Sequence, residues 1–217
     1  MKALFMVEAF SGVVWAQDSG LKARELFYTP PPDAAPARNK AKKPPASSNV
    51  PLGLRYSVMK PDADGKFIEV DQDANFHSAD RIRLDVDTNT AGYLYVLMRE
   101  PGGNWRLLDG GNHRIDKGAS QQIPLGFDEQ PGTEKLYLVL SRRPEADLMA
   151  KVTIGDDVVS RLRNEMKSLG LVFEKIDEMS LKYDGTNDVK TEKATYVVNP
   201  SRGDDARLAV DVALKHR

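Results

Sequence analysis

The sequence has no cysteine, only three histidines and two tryptophans among 217 residues, and no excess charge of either sign. Each scarcity excludes a class of function. Without Cys there is no disulfide framework, no thiolate-bound zinc or iron–sulfur cluster and no thiol nucleophile. The histidines, His77, His113 and His216, are far apart in the chain and leave little material for a catalytic zinc triad. Lys and Arg number 31 against 32 Asp and Glu, a net charge of −1. That balance argues against non-specific nucleic-acid binding, which needs clustered cations to neutralise phosphates. No apolar run reaches the roughly 20 residues a membrane-crossing helix requires, so no membrane span is expected. With no Cys after the N-terminal apolar stretch, no bacterial lipid anchor is expected either.

What is there begins with MKALFMVEAFSGVVWA, residues 1–16. One Lys, an apolar stretch and the ending Val14-Trp15-Ala16 have the form of a secretory signal, although Glu8 interrupts the stretch and Val14 is large for its position. The expectation is an exported protein, periplasmic or extracellular. The competing reading is an amphipathic N-terminal helix packed on the body. Residues 17–29 include LKARELFYT, with Leu21, Leu26, Phe27 and Tyr28 apolar. So short a segment cannot fold alone, so it either docks on the main domain or binds a partner. Residues 30–51 are rich in Pro, Ala and Lys and read as an extended linker. Their basic cluster, Arg38, Lys40, Lys42 and Lys43, either keeps the linker solvated or touches an anionic lipid or polymer.

From residue 52 a period of two takes over. Runs at 54–59 and 66–70 flank the turn Pro61-Asp62-Ala63-Asp64-Gly65 and read as a hairpin. RIRLDVDT (81–88) sets Ile82, Leu84 and Val86 on one face. GYLYVLMRE (92–100) is aromatic and β-branched, WRLLD (105–109) follows a turn, and QQIPL (121–125) is an edge strand because Pro124 cannot donate to a ladder. KLYLVLS (135–141) is almost continuously apolar. EADLMAKV and DDVVSRLRNEMKSLG then show helical spacing, Val158, Leu162 and Met166 recurring every four residues before Gly170. Strand patterns return at 171–176, 195–199 and 207–215, the last with Leu208, Val210, Val212 and Leu214 on one side. The whole predicts a mainly β protein: an immunoglobulin-like antiparallel β-sandwich over 52–217 with a short helical segment near 145–169.

Three ordered blocks carry a family resemblance. FHSADRIRLDVDTNTAGYLYVL (76–97), WRLLDGG (105–111) and GFDEQPGTEKLYLVLSRRPEADL (126–148) resemble the signature of a bacterial, envelope-associated β-sandwich domain family of unknown function. The likeness spans about 54–148, leaving the helix and further strands of 149–217 outside it. The Gly-Gly-Asn after Asp109 departs from the family pattern. The resemblance implies a β-sandwich module and no assigned activity. The residues themselves read as folding signals: Gly92 opens a central strand, Tyr93 and Tyr95 share one face against Leu94, Val96 and Met98, and Pro131-Gly132 makes a turn.

Candidate chemistry is sparse. Asp71-Gln-Asp73-Ala-Asn75 starts like a calcium loop but has Phe76 where Gly is needed and Ile82 where Glu is needed. His77, Ser78 and Asp80 cannot easily share a proton, because neighbours on a strand point to opposite faces. The acidic pairs Asp128-Glu129 and Asp204-Asp205 sit in turns, and Asp156-Asp157 reads as a helix start. No catalytic residue, metal ligand or cofactor is assigned. Four residues stand as possible partner contacts: Phe27 and Tyr28 in the N-terminal segment, Trp105 beside glycine-rich loops (or a core Trp closing one end of the sandwich), and His113 within one of those loops. The expected function is an exported, non-enzymatic module that binds a protein or an envelope polymer. The alternatives are a structural or regulatory subunit of a larger envelope machine and, behind it, an enzyme such as a hydrolase.

Overall fold

Alternation of apolar side chains is what builds this molecule. Along β1 (Leu52–Pro61) the residues Leu52, Leu54, Tyr56 and Val58 are buried on one face, as are Ile82, Leu84 and Val86 of β3 (Arg81–Thr88). In the computed structural model, which describes residues 22–29, 50–100, 103–108, 114–127, 129, 131–149, 153–181 and 189–217, these strands belong to one of two six-stranded antiparallel sheets. Sheet A runs β10 (Val172–Leu181), β11 (Val189–Asn199), β1, β3, β7 (Ser120–Gly126), with β2 (Phe67–Val70) paired to β1. Sheet B runs β12 (Arg207–His216), β8 (Gly132–Ser141), β4 (Gly92–Arg99), β5 (Trp105–Leu107), β9 (Thr153–Ile154), with β6 (Arg114–Ile115) paired to β4. The two pack face to face. Leu54, Leu84, Ile123 and Val197 from sheet A meet Val96, Leu138, Leu208 and Val212 from sheet B in one core. The protein is therefore mainly β, a β-sandwich.

Both outer faces carry a helix. Helix α1 (Ala23–Tyr28) lies on sheet A, where Ala23 and Phe27 pack with Ile176, Ala194, Tyr196 and Val198. Gly53 allows this approach: a Cβ there would stand 2.8 Å from the Phe27 ring. Helix α2 (Asp156–Lys167) lies on sheet B, burying Val159, Leu162 and Met166 against Tyr95, Leu97, Tyr137 and Val139. The nearly unbroken apolar runs of β4 and β8 follow, since their alternate residues are buried against the sandwich core and against α2. The Tyr95 set and the Val96 set are thus both interior.

The helix is shorter than its sequence pattern. The expected start near 145 is instead a turn, with the Leu148 and Met149 amides donating to the Glu145 carbonyl at 3.0 and 2.9 Å. The chain then pairs as β9 with β5 before α2 begins. Its buried stripe starts at Val159; Val158 is only half-buried. Gly170, at φ +60°, ends α2 in the left-handed region. The edge strand with Pro124 is β7, and β12 lies at an edge of sheet B. Residues 76–78 continue that edge, exchanging backbone hydrogen bonds with Lys215 and Arg217. Among the described residues no helix is long and apolar enough to cross a membrane. The segments expected to be a signal (1–16) and most of a linker (30–51) lie outside the described residues.

Candidate functional site

Helix α2 covers only part of the outer face of sheet B. Its apolar stripe sits over Leu97, Tyr137 and Ala209, and the next row of side chains along the strands is left uncovered. The strand register defines that row. Trp105 pairs with Arg99 and Lys135 pairs with Ala213; the ladder that pairs Met98 with Leu136 brings Arg99 next to Lys135. Because side chains alternate, Trp105, Arg99, Lys135 and Ala213 share the outer face with the residues under α2. Together with Asp156, Arg163 and Asp211 they line an open cleft of about 340 Å³. That is at the small end of the range for ligand pockets.

The walls of the cleft are held by paired charges. The Trp105 indole is buried, 1% exposed, and its Nε1 donates to Asp156 Oδ1 at 2.8 Å. Arg163 lies over both the Trp105 and Tyr137 rings, 4.9 and 5.0 Å from their centroids. Its Nη2 and Nε donate to Asp211 at 2.6 and 3.1 Å, a fork that fixes the guanidinium in place. Burial, and then the Asp211 charge, push the Tyr137 phenol above its ordinary pKa, so it stays neutral. Arg99 has a looser partner, Asp156 at 3.6 Å, and its buried Nε has no hydrogen-bond partner among the described residues. Lys135 is exposed and has no ion-pair partner among them. Three cations thus face two carboxylates, and both carboxylates already accept from the protein.

The outer face of sheet A is organised differently. Arg55 sits at its centre, Nη2 donating to Glu69 at 2.5 Å and Nη1 to Asp87 at 3.0 Å, with Glu192 at 3.5 Å from Nε. Burial works against the Arg55 charge, but the hydrogen bond and charge of Glu69 more than offset it and raise its pKa. Arg24 of α1 reaches Glu178 and Glu192 at 3.0 and 3.1 Å, and its amide donates to Glu174. Tyr196 donates to Glu192 at 2.6 Å and lies 3.2 Å, oxygen to oxygen, from Tyr28. Burial opposes ionisation of Glu192, yet the Tyr196 hydroxyl and the two arginines hold its carboxyl below the usual range. Every charge named here has a partner.

The four residues singled out from sequence are not brought together. Phe27 is 8% exposed and edge-on to Tyr196 at 5.3 Å, so as a partner contact it is corrected to a packing residue that fastens α1. Of the two readings of Trp105 the structure takes the packed one: the residue is 1% exposed and Arg163 lies over its ring. Tyr28, 62% exposed, remains on the surface, on the opposite outer face from Trp105. His113 lies outside the described residues. The calcium-like Asp71 and Asp73 both hold Lys175 Nζ at 3.0 Å, and Asp204 faces Arg143 at 3.8 Å. Sequence reading missed Arg99, Lys135, Arg163 and Asp211. Their one signal was placement: Arg99, Lys135 and Asp211 are isolated charges on the same strand face as apolar neighbours, and Arg163 lies on the helix face of Val159 and Met166. No family model, no curated protein and no solved structure matches the chain, so the site has to be read from its own chemistry.

Proposed function

We propose that the chain is an exported, non-enzymatic binding module of the bacterial envelope that engages a protein or polymer partner through the cleft on sheet B. One observation carries this reading: a sheet face left open beside its helix, with walls held by paired charges and a cation on its floor that has no ion-pair partner among the described residues. Asp156 and Asp211 serve as hydrogen-bond acceptors for Trp105 and Arg163, which is the work of a scaffold. The signal-like start at 1–16 and the resemblance of the 76–97, 105–111 and 126–148 blocks supply the envelope address. A second reading, a subunit of a larger envelope machine, is favoured by Phe173, 40% exposed on the edge strand β10.

The test is to fill the cleft. Ala213 is exposed on its floor, so Ala213→Trp blocks the space without entering the core. A stoichiometric envelope partner retained by the unaltered chain and lost by Ala213→Trp is the expected result. Equal retention by both proteins moves binding to another surface, and no retained partner removes the reading.

A further inference from the structure

We infer that the cleft takes a carboxylate, presented by an acidic segment of a partner protein. The inference rests on the binding reading above and goes further by naming what is bound. Arg163 is tied to Asp211 through Nε and Nη2 and lies over the two rings beneath it. Asp156 is occupied by the indole N–H and faces Arg99. What remains is Lys135, without a partner among the described residues, and Arg99, about a third exposed and held by Asp156 only at 3.6 Å. Their strands are neighbours in sheet B, so the two cations stand roughly 5 Å apart at the backbone on one face. That spacing lets one carboxylate accept from both. Ala213, next to Lys135 on β12, leaves room for the chain that carries it.

The choice of a protein over an anionic polysaccharide comes from the indole. Sugar recognition by an aromatic residue uses an exposed ring face, and here Arg163 lies over the ring while the residue is 1% exposed. The cleft offers cations without a stacking platform. A flexible acidic side chain reaching down to Arg99 and Lys135 satisfies what is present. The guanidinium and the ammonium also distinguish this site from the centre of the outer face of sheet A, where Arg24 and Arg55 each have their carboxylates.

The experiment uses the full chain and an N-acetylated hexaglutamate peptide, followed by the fluorescence of Trp105 in a Trp15→Phe background and, for Ala213→Trp, which adds a second indole, by titration calorimetry. Saturable binding that weakens with salt is expected, with a roughly tenfold loss in Lys135→Glu, the size of one charge-assisted contact, and loss in Ala213→Trp. Lys135→Glu changes an exposed side chain with no ion-pair partner among the described residues, and an unchanged melting temperature shows that the loss is in the site. A hexaglutamine peptide should not bind. If oligogalacturonate binds in an Ala213→Trp-sensitive way and hexaglutamate does not, the protein assignment fails while the cleft stands as a carboxylate site. Inorganic phosphate competing as well as hexaglutamate overturns the carboxylate class. If neither polymer binds but Ala213→Trp still abolishes partner capture, this inference is wrong and the binding reading survives. If Ala213→Trp abolishes nothing, both fail.

Discussion

The two outer faces of this sandwich use the same materials for opposite ends. On sheet A, arginines, carboxylates and a tyrosine surround a short helix, and the two central arginines are matched: Arg55 by Glu69 and Asp87, Arg24 by Glu178 and Glu192. On sheet B, a longer helix leaves a row of the sheet open, and of the charges lining it Lys135 has no ion-pair partner among the described residues. A closed network fastens a segment. A network with a cation left over presents a surface to something else. The contrast teaches that the count of charged residues, balanced over the whole chain, conceals an imbalance at one place.

The largest way to break the comparison is to remove the wall of the cleft. Trp105→Ala deletes a buried side chain packed with Tyr137 and α2, and it should cost about 3–5 kcal/mol in denaturant unfolding. It should remove binding as well, because Arg163 loses a ring beneath it. A much smaller cost would mean that α2 does not depend on this strut.

Next in size is the seat of α1. Gly53→Ala forces a Cβ to 2.8 Å from Phe27 and about 3.0 Å from Asn89, an overpacking that should cost roughly 1–3 kcal/mol. Proteolysis should then cut near residues 22–29 faster, while hexaglutamate binding stays unchanged. Linked loss of binding would show that the two faces communicate and would blur the comparison.

Smaller again is the acid response of sheet A. Glu192 has a depressed pKa in the folded protein, so its contribution is fully present above the ordinary Glu value of about 4.3 and disappears as pH falls through the folded value. The melting temperature of the unaltered chain should exceed that of Glu192→Gln at neutral pH, and the gap should close in acid. A gap independent of pH would mean that the Glu192 charge does not hold α1. The smallest expected effect is that of Lys135→Glu on stability, within about 0.5 kcal/mol, as for any exposed residue without partners.

Much of the fold was legible because the sandwich is written in alternation. Ile82, Leu84 and Val86, or Leu208 through Leu214, declare their buried face without help from the rest of the chain. Local pattern failed where long-range contacts decide. EADLMA has helical spacing, yet Leu148 is drawn into the core under α2 and the chain must reach β5 to form β9. The site was less legible still. Trp105 and Phe27 each carry two readings in sequence, contact or packing, because nothing local says that a sheet or an arginine far along the chain will cover them. Arg99, Lys135, Asp156, Arg163 and Asp211 come from four separate elements, β4, β8, α2 and β12, and the register across the strands together with the seat of α2 sets them in one place. Asp156 shows the limit of local rules: it heads α2, as its sequence position implied, but its carboxylate also holds the indole.

The most direct test is to ask which face a carboxylate chooses. Amide resonances of the full chain, followed while hexaglutamate is added, should shift at Arg99, Lys135, Val212 and Ala213 and stay fixed on α1, β10 and β11. Shifts concentrated around Arg24, Arg55 and Tyr196 would contradict the assignment of sheet B as the binding face and sheet A as the closed one.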